Sequence, residues 1–319
     1  MDALTFLGVG LSVVGGVGLL RLGRSSVSQP FHAVLFLTAV RALTTPDRDA
    51  AFFRLLLLGG AWGVYALIYR YHAHAERAMP YLAAAAVAVS IGSLFVQGLP
   101  IGWLWDRNVT ADVLLLLTPW LRGPVMLLGW VAVALTGSRG AWMGLVGALL
   151  WLIWRPRWYV WALVVGALAV GLVFIRPATA IQRVYIWQNA ARLFLERPLI
   201  GLGIGATTPI VWDGRVLNLL HAHNILLDAL LNGGVFLGVA WAAFLWAVIR
   251  LIVGPPGSRA RLGLLAVILH GMVDCEIWTP AIVLMAVNLA LLVRFRESEN
   301  RFCECTDSDP AAPGVAAAA

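Results

Sequence analysis

Long apolar runs separated by short polar segments dominate the chain and predict an all-α, polytopic membrane protein. A helix that crosses a bilayer needs roughly 20 predominantly apolar residues, and the runs predict about 11 spans, with a range of roughly 10–12. The predicted spans cover residues 3–20, 30–43, 51–69, 80–99, 110–121, 124–136, 140–154, 158–175, 234–253, 262–276 and 277–293. Several runs are shorter than a usual span, which indicates tilted, broken or re-entrant helices.

One longer polar segment, residues 176–222, interrupts the alternation of spans and short loops. Within it, residues 181–196 place apolar side chains at helical spacing, which predicts an amphipathic helix in the membrane interface with Trp187 as its anchor. The chain shows no internal repeat and no second folding unit. The sequence therefore predicts a single transmembrane domain over residues 1–295, followed by a disordered cytoplasmic tail over residues 296–319.

The composition narrows the possible classes of protein. Of the 319 residues, 61% are hydrophobic and 12% are charged, whereas a soluble domain has about 45–50% apolar and about 25% charged residues. One soluble core cannot bury this much apolar surface, so a soluble enzyme, a nucleic-acid-binding protein and a disordered protein are excluded. The three cysteines do not form an extracellular disulfide framework.

The basic residues predict the orientation of the chain in the membrane. All 23 of them are arginines, and the formal net charge is +7. Basic residues in short loops concentrate on the cytoplasmic side. Placing residues 176–222 outside puts the following arginines inside: Arg21, Arg24, Arg70, Arg77, Arg122, Arg155, Arg157, Arg259, Arg261, Arg294, Arg296 and Arg301. We therefore predict that residues 176–222 form an outer loop.

A second group of arginines breaks this rule because it lies on the predicted outer side. Its members are Arg139, in an outer turn, and Arg176, Arg183, Arg192, Arg197 and Arg215, in the outer loop. An anionic substrate explains the group, because guanidinium groups bind phosphate oxygens in a bidentate way. Lipid headgroups are the alternative, and we favour them for Arg176, Arg192 and Arg197.

The glycine-rich segment 201–205 follows the predicted interfacial helix. Its glycines lack the G-x-G-x-x-G spacing and no predicted strand precedes them, so the segment is not a dinucleotide-binding fingerprint. A tight backbone turn is the simplest interpretation. A nest of backbone amides that binds a phosphate is the alternative.

Two histidines, His221 and His223, end the outer loop and are followed by Asn224. A neutral imidazole accepts a proton from a hydroxyl near neutral pH, so the pair favours general base catalysis. Zinc bound by the two histidines together with Asp228 is the alternative, but no further convincing ligand is spaced to join them. Asp228 and Asn232 are candidates either for function or for a hydrogen bond between helices.

Three motifs, in their order along the chain, resemble the O-antigen ligase/polymerase superfamily. They are Ser138-Arg139-Gly140-Ala141, then Arg183-x-x-x-Trp187 followed by Pro198-Leu-x-Gly201-x-Gly203, then His223-Asn224 ahead of a glycine-rich helix. The resemblance covers roughly residues 110–295. It implies a mainly helical membrane glycosyltransferase of O-antigen, lipopolysaccharide or exopolysaccharide synthesis. Such an enzyme takes a glycan from undecaprenyl pyrophosphate at the periplasmic face of the bacterial inner membrane, without a metal or another cofactor.

The resemblance also implies roles for individual residues. The two essential arginines of the family correspond to Arg139 and Arg183, which are expected to hold the pyrophosphate, and its essential histidine corresponds to His223. We expect His223 to be the general base of an inverting transfer to lipid A-core, a growing polysaccharide or a protein hydroxyl. The other candidate substrate-binding residues are Arg215, His221, Asn224, Asp228 and Trp187.

A transporter or flippase of an anionic lipid-linked saccharide is the alternative function, because it would use the same arginines. A transporter needs no base, and it needs access from both sides of the membrane. The predicted spans contain few charged residues that would mark such a path. These residues do not distinguish a ligase from a polymerase, because both enzymes need a base and a group that holds the pyrophosphate.

Overall fold

The computed structural model describes most of the chain as helix. The described residues are 26–45, 47–97, 106–154, 177–212, 215–219, 221–254, 257–274, 279 and 281–307. Their helices are α1 (Ser28–Ala42), α2 (Arg48–Arg70), α3 (His72–Gln97), α4 (Arg107–Leu117), α5 (Gly123–Leu135), α6 (Arg139–Trp154), α7 (Pro177–Glu196), α8 (Ile225–Val253), α9 (Ala260–His270) and α10 (Ala281–Asp307). The predicted spans 3–20 and 158–175 lie outside the described residues.

The helices have the length and the apolar surface of a membrane protein. Among the described residues, α2, α3 and α8 are long and apolar enough to cross a bilayer, and α5, α6 and α9 are shorter apolar helices. Large apolar side chains, such as Phe36, Phe95 and Trp246, are exposed on the outside of the bundle, which suits contact with lipid. The prediction of a helical membrane protein is confirmed, whereas the number of about 11 spans stays a prediction.

The starts of the described helices fall into two groups, so the bundle has two distinct ends. Helices α4, α6 and α8 begin near the C-terminus of α9, where Ile225 donates its N–H to the carbonyl of Gly271 (2.9 Å). We call this the histidine end, because His223 lies there. Helices α5 and α9 begin at the opposite end, where Arg259 Nη1 donates to the carbonyl of Trp120 (3.1 Å).

Polar side chains fix the start of three helices at the histidine end. Asp47 accepts a hydrogen bond from the N–H of Ala50 at the start of α2. Asp106 does the same for α4, and Asn224 for α8. These oxygens satisfy backbone donors that the first helical turn leaves unpaired.

Helix α8 is broken at Gly234, whose φ is +70°. The segment after α7 fills the break, because Leu202 N–H donates to the carbonyl of Leu231 (2.7 Å) and Gly203 N–H to that of Asn232 (3.1 Å). In return, Val235 N–H donates to the carbonyl of Pro198 (2.8 Å). Backbone groups freed inside a membrane protein need such partners.

These contacts favour a tight backbone turn over a phosphate-binding nest as the role of the glycine-rich segment 201–205. Its amides at Leu202 and Gly203 donate to α8, and the amide of Gly205 donates to Asn232 Oδ1 (2.8 Å). A phosphate nest was one alternative, but these donors are already used by the protein. Gly201 is required for close approach, since a Cβ there would lie 2.6 Å from the nitrogen of Gly234.

We predict that Gly234→Ala destabilises the protein by at least about 2 kcal/mol. The new Cβ would overlap the carbonyl of Leu199, and the backbone at position 234 has a positive φ. The measurement is thermal unfolding in detergent. The control is Gly63→Ala in α2, where nothing lies within 4 Å of the new Cβ. Equal unfolding temperatures for the two variants would contradict this account of the break.

A β-hairpin lies between α7 and α8 and was not predicted. Strand β1 (Thr208–Trp212) pairs antiparallel with β2 (Arg215–Leu219), and Thr208 is opposite Leu219. Asn189 of α7 donates a side-chain hydrogen bond to the carbonyl of Pro209. Residues 181–196 are helical as predicted, and the hairpin packs against their helix.

Several helix boundaries differ from the prediction: α3 begins at His72 instead of residue 80, α9 ends at His270 instead of residue 276, and α8 and α10 are also longer than predicted. Helix α8 begins at Ile225 instead of residue 234, because the polar groups of its first turns are paired inside the protein. Helix α10 continues to Asp307, so residues 296–307 are helical where the sequence predicted a disordered tail. The ion pairs Arg294–Glu297 (3.0 Å) and Arg296–Glu299 (2.9 Å) stabilise this extension.

Candidate active site

The carboxylate of Asp274 brings together side chains from three parts of the chain. Its Oδ1 lies 2.5 Å from Nδ1 of His223, and its Oδ2 accepts hydrogen bonds from Arg183 Nη2 (2.8 Å) and Asn108 Nδ2 (2.9 Å). The Asp274 side chain is 1% exposed, whereas that of His223 is 23% and that of Arg183 is 30% exposed. A buried carboxylate therefore holds an imidazole and a guanidinium that both reach the surface.

The electrostatics of this cluster favour an ionised Asp274. Burial alone raises the pKa of the Asp274 carboxyl, but the hydrogen bond with His223 and the charge of Arg183 outweigh burial and hold this pKa well below its ordinary value. Asp274 therefore remains a carboxylate near neutral pH. A carboxylate on Nδ1 orients the imidazole and leaves Nε2 to act on a substrate.

The backbone holds His223 in an uncommon conformation, with φ +50°. Asn224 fixes the next position, because its oxygen caps α8 and its Nδ2 donates to the carbonyl of Met272 (2.8 Å). Trp187 Nε1 donates to the carbonyl of His223 (3.4 Å). Surrounding contacts of this kind are needed to keep a non-glycine residue at positive φ.

A fully buried polar network lies behind the histidine turn. Asp228 Oδ1 accepts the N–H of Ala222 (3.1 Å), and Asn232 Nδ2 donates to Asp228 Oδ2 (3.1 Å). Arg54 of α2 donates to Asn232 Oδ1 (2.6 Å) and lies 3.8 Å from Asp228. Asp228 is thus joined to backbone and to neighbouring helices, and its side chain has no exposed surface.

His221 lies beside His223, with their ring centroids 4.5 Å apart. Burial, and then the neighbouring His223, lower the pKa of His221 below its ordinary value, so its imidazole is neutral near pH 7. One ligand atom from each of His221, His223 and Asp274 lies within 4.8 Å of the others, a spacing that could hold a metal ion. However, the Asp274 carboxylate already accepts hydrogen bonds from Arg183 and Asn108, which compete with a metal for its oxygens.

Arg139 begins α6 next to the same turn. Ser138 Oγ accepts the N–H of Ala141 (3.4 Å) and so starts the helix. A Cβ at Gly140 would overlap the ring of His270, whose carbonyl accepts the N–H of Asp274 (2.9 Å). The glycine therefore lets the Arg139 backbone approach the turn that carries Asp274.

The hairpin carries Arg215 away from this cluster. Arg215 is exposed at the start of β2 and pairs in register with Trp212. Arg215 lies four positions before Leu219 in β2, which corresponds to about 13 Å along the strand. Arg192 and Arg197 are also exposed, so of the arginines in the described part of the outer loop, only Arg183 contacts Asp274.

Three site residues were not predicted from the sequence. Asp274 was not among the candidate residues, although it follows His270 by one helical turn. Arg54 gave a clear signal, because an ionisable residue inside an apolar run marks a functional or structural site. Asn108 gave no such signal, since it lies beside the capping residue Asp106 in a short polar loop.

The chain was compared with known proteins. A family model described as O-antigen ligase matches residues 124–242. An O-antigen ligase of Pseudomonas aeruginosa is 28% identical over 237 residues, which cover 69% of this chain and 56% of that protein. The chain thus spans about half the length of this curated relative. The family match includes all three motifs, and the two matches confirm the resemblance of the chain to the O-antigen ligase/polymerase superfamily.

Proposed function

We propose that the protein is an inverting, metal-independent glycosyltransferase. It moves a glycan from an undecaprenyl-pyrophosphate donor to an acceptor hydroxyl at the periplasmic face of the bacterial inner membrane, as an O-antigen ligase or a polysaccharide polymerase. The observation that carries the proposal is the shared carboxylate of Asp274, which positions His223 and Arg183 together. The acceptor class comprises lipid A-core, a growing polysaccharide and a protein hydroxyl.

His223 supplies the base in this proposal. Asp274 binds Nδ1, so Nε2 accepts the proton of the acceptor hydroxyl while the oxygen attacks the anomeric carbon. The new C–O bond forms as the bond from the anomeric carbon to the pyrophosphate oxygen breaks. The bonding electron pair leaves with the pyrophosphate, and the proton stays on His223.

Arg183 and Arg139 stabilise the charge that develops on the pyrophosphate. Arg183 Nη2 binds Asp274, whereas its Nη1 is buried without a hydrogen-bond partner among the described residues. A buried guanidinium donor without a partner is suited to a phosphate oxygen. Arg139 lies at the start of α6 beside the same turn and supplies a second guanidinium. Asn224 and Asp228, which we expected to bind substrate, are assigned to the support of the histidine turn.

The proposal is tested with purified full-length protein in vesicles. Undecaprenyl-pyrophosphate glycan and each candidate acceptor are supplied on one side only, and the mass gained by the acceptor is measured with and without EDTA. Covalent product in both conditions is expected. Transport of the donor without product would favour the flippase alternative, and loss of product in EDTA would show that a metal is required.

We predict that Asp274→Asn lowers the rate of transfer by about 10²–10⁴-fold, because an amide beside Nδ1 favours the wrong tautomer of His223 and the function of the base is then lost. The control is Asn108→Ala, which removes a different hydrogen bond to the same carboxylate and should cost less than about threefold. Transfer rates are measured together with elution profiles in detergent. Equal losses in both variants would contradict the orienting role of Asp274.

A further inference from the structure

A second charged cavity lies at the end of the bundle opposite His223. Its volume is about 920 Å³, and three arginines from different loops and helices line it: Arg77, Arg122 and Arg259. Among the described residues that line it, Glu76 is the one acidic residue. None of the three arginines forms an ion pair with a described residue. The described lining therefore carries an excess of positive charge.

Two helices begin at this cavity in an unusual way. The N-cap of α5 is Arg122 and the N-cap of α9 is Arg259, and neither helix start has a side-chain cap. The N-terminus of a helix carries partial positive charge, so acidic or polar caps are preferred there. At the histidine end, Asp47, Asp106 and Asn224 serve as such caps.

An anion in the cavity would compensate both for the positive charge of the arginines and for the missing side-chain caps of α5 and α9. The lining of the cavity includes the first turn of α5 and the residues that directly precede α9, so these two helix starts and the side chains of Arg122 and Arg259 border one space. Helix N-termini and arginine side chains are the two elements that proteins use most often to bind phosphate. Topology alone explains arginines in these loops, but it does not explain why they replace the caps and share one cavity.

The cavity also has an apolar side. Tyr81 and Val125, which line it, are among the exposed large apolar residues of α3 and α5. Acyl chains that lie along these helices would therefore be continuous with a headgroup held by the arginines. Basic pockets between helices on the cytoplasmic side of membrane proteins bind anionic lipid headgroups in this way.

We propose that this cavity binds the phosphate headgroup of an anionic phospholipid. The orientation predicted from the sequence places this cavity at the cytoplasmic leaflet of the membrane. The anionic phospholipids of that leaflet supply the ligand. Binding at this cavity does not depend on glycosyl transfer at the histidine end.

The test measures binding of phosphatidylglycerol to the full chain in detergent by native mass spectrometry. The triple variant R77Q/R122Q/R259Q is expected to bind the lipid at least about tenfold more weakly than the wild type. The control variant R70Q/R250Q/R301Q removes three exposed arginines that do not line the cavity and should stay within about twofold. Phosphatidylcholine, which is zwitterionic, should bind the wild type at least about tenfold more weakly than phosphatidylglycerol.

Each remaining outcome overturns the proposal. Equal binding by the wild type and R77Q/R122Q/R259Q would show that the cavity is not the lipid site. Equal losses of phosphatidylglycerol binding in the two triple variants would show that the total positive charge of the protein, and not this cavity, determines binding. Displacement of phosphatidylglycerol by millimolar inorganic phosphate would identify free phosphate, and not a lipid, as the ligand. Elution profiles of both variants establish that they are folded.

Discussion

Replacing His223 with alanine is expected to lower the rate of glycan transfer by about 10²–10⁴-fold, the usual contribution of a general base. Without the imidazole, no described group that is both exposed and bound to Asp274 remains to accept the proton of the acceptor. Among the described residues, the His223 side chain forms a hydrogen bond with Asp274 alone, so its loss should leave the helices intact. The measurement is the initial rate of product formation from an undecaprenyl-pyrophosphate glycan.

The matched control for this variant is His74→Ala. His74 is exposed on α3, near its start and away from the Asp274 cluster, and its removal should leave the rate unchanged. Insertion of both variants into the membrane is followed by their yield and elution in detergent. A normal rate for His223→Ala in a well-folded sample would remove His223 from the role of base.

Replacing Arg183 with alanine is expected to cost about 10²–10³-fold in rate, or about 3–4 kcal/mol of transition-state stabilisation. Arg183 Nη2 donates a hydrogen bond to Asp274. Its Nη1 is a second, buried donor that has no partner among the described residues. Arg139→Ala is expected to have an effect of the same order. Arg183→Lys should rescue little, because an ammonium cannot bind Asp274 and a phosphate oxygen through a rigid fork.

Arg192→Ala is the control for Arg183→Ala. Both arginines belong to α7, but nine residues place them on opposite faces of the helix, and Arg192 is exposed. We expect Arg192→Ala to retain nearly the full rate. If the two variants lost activity equally, the net charge of α7, and not the contact of Arg183 with Asp274, would explain the effect.

Most helices were predictable because their apolar runs are long and uninterrupted. Helix α2, for example, spans Arg48–Arg70 where the sequence predicted 51–69. The first turns of α8 were missed, because Asp228 and Asn232 lower the apolar content of a segment whose polar groups find partners inside the fold. The hairpin was missed because its strands are short and pair only with each other.

The candidate site was only partly predictable, for a different reason. The motifs indicated Arg183 and His223, but Asp274 lies 91 and 51 residues further along the chain. A local sequence pattern cannot reveal a contact between residues that lie so far apart along the chain. The glycine-rich segment 201–205 shows the same limit, because its role depends on the break in α8 at Gly234, which is 29 residues after Gly205.

The break in α8 has a consequence for biogenesis. Until residues 198–203 dock, the carbonyls of Leu231 and Asn232 face hydrocarbon or water without their final partners, and leaving them bare in lipid costs several kcal/mol each. The C-terminal half of α8 can enter the bilayer on its own, but its N-terminal half gains a stable place only when the preceding polar segment folds back onto it. We therefore expect stable placement of the N-terminal half of α8 and formation of the histidine turn to depend on each other.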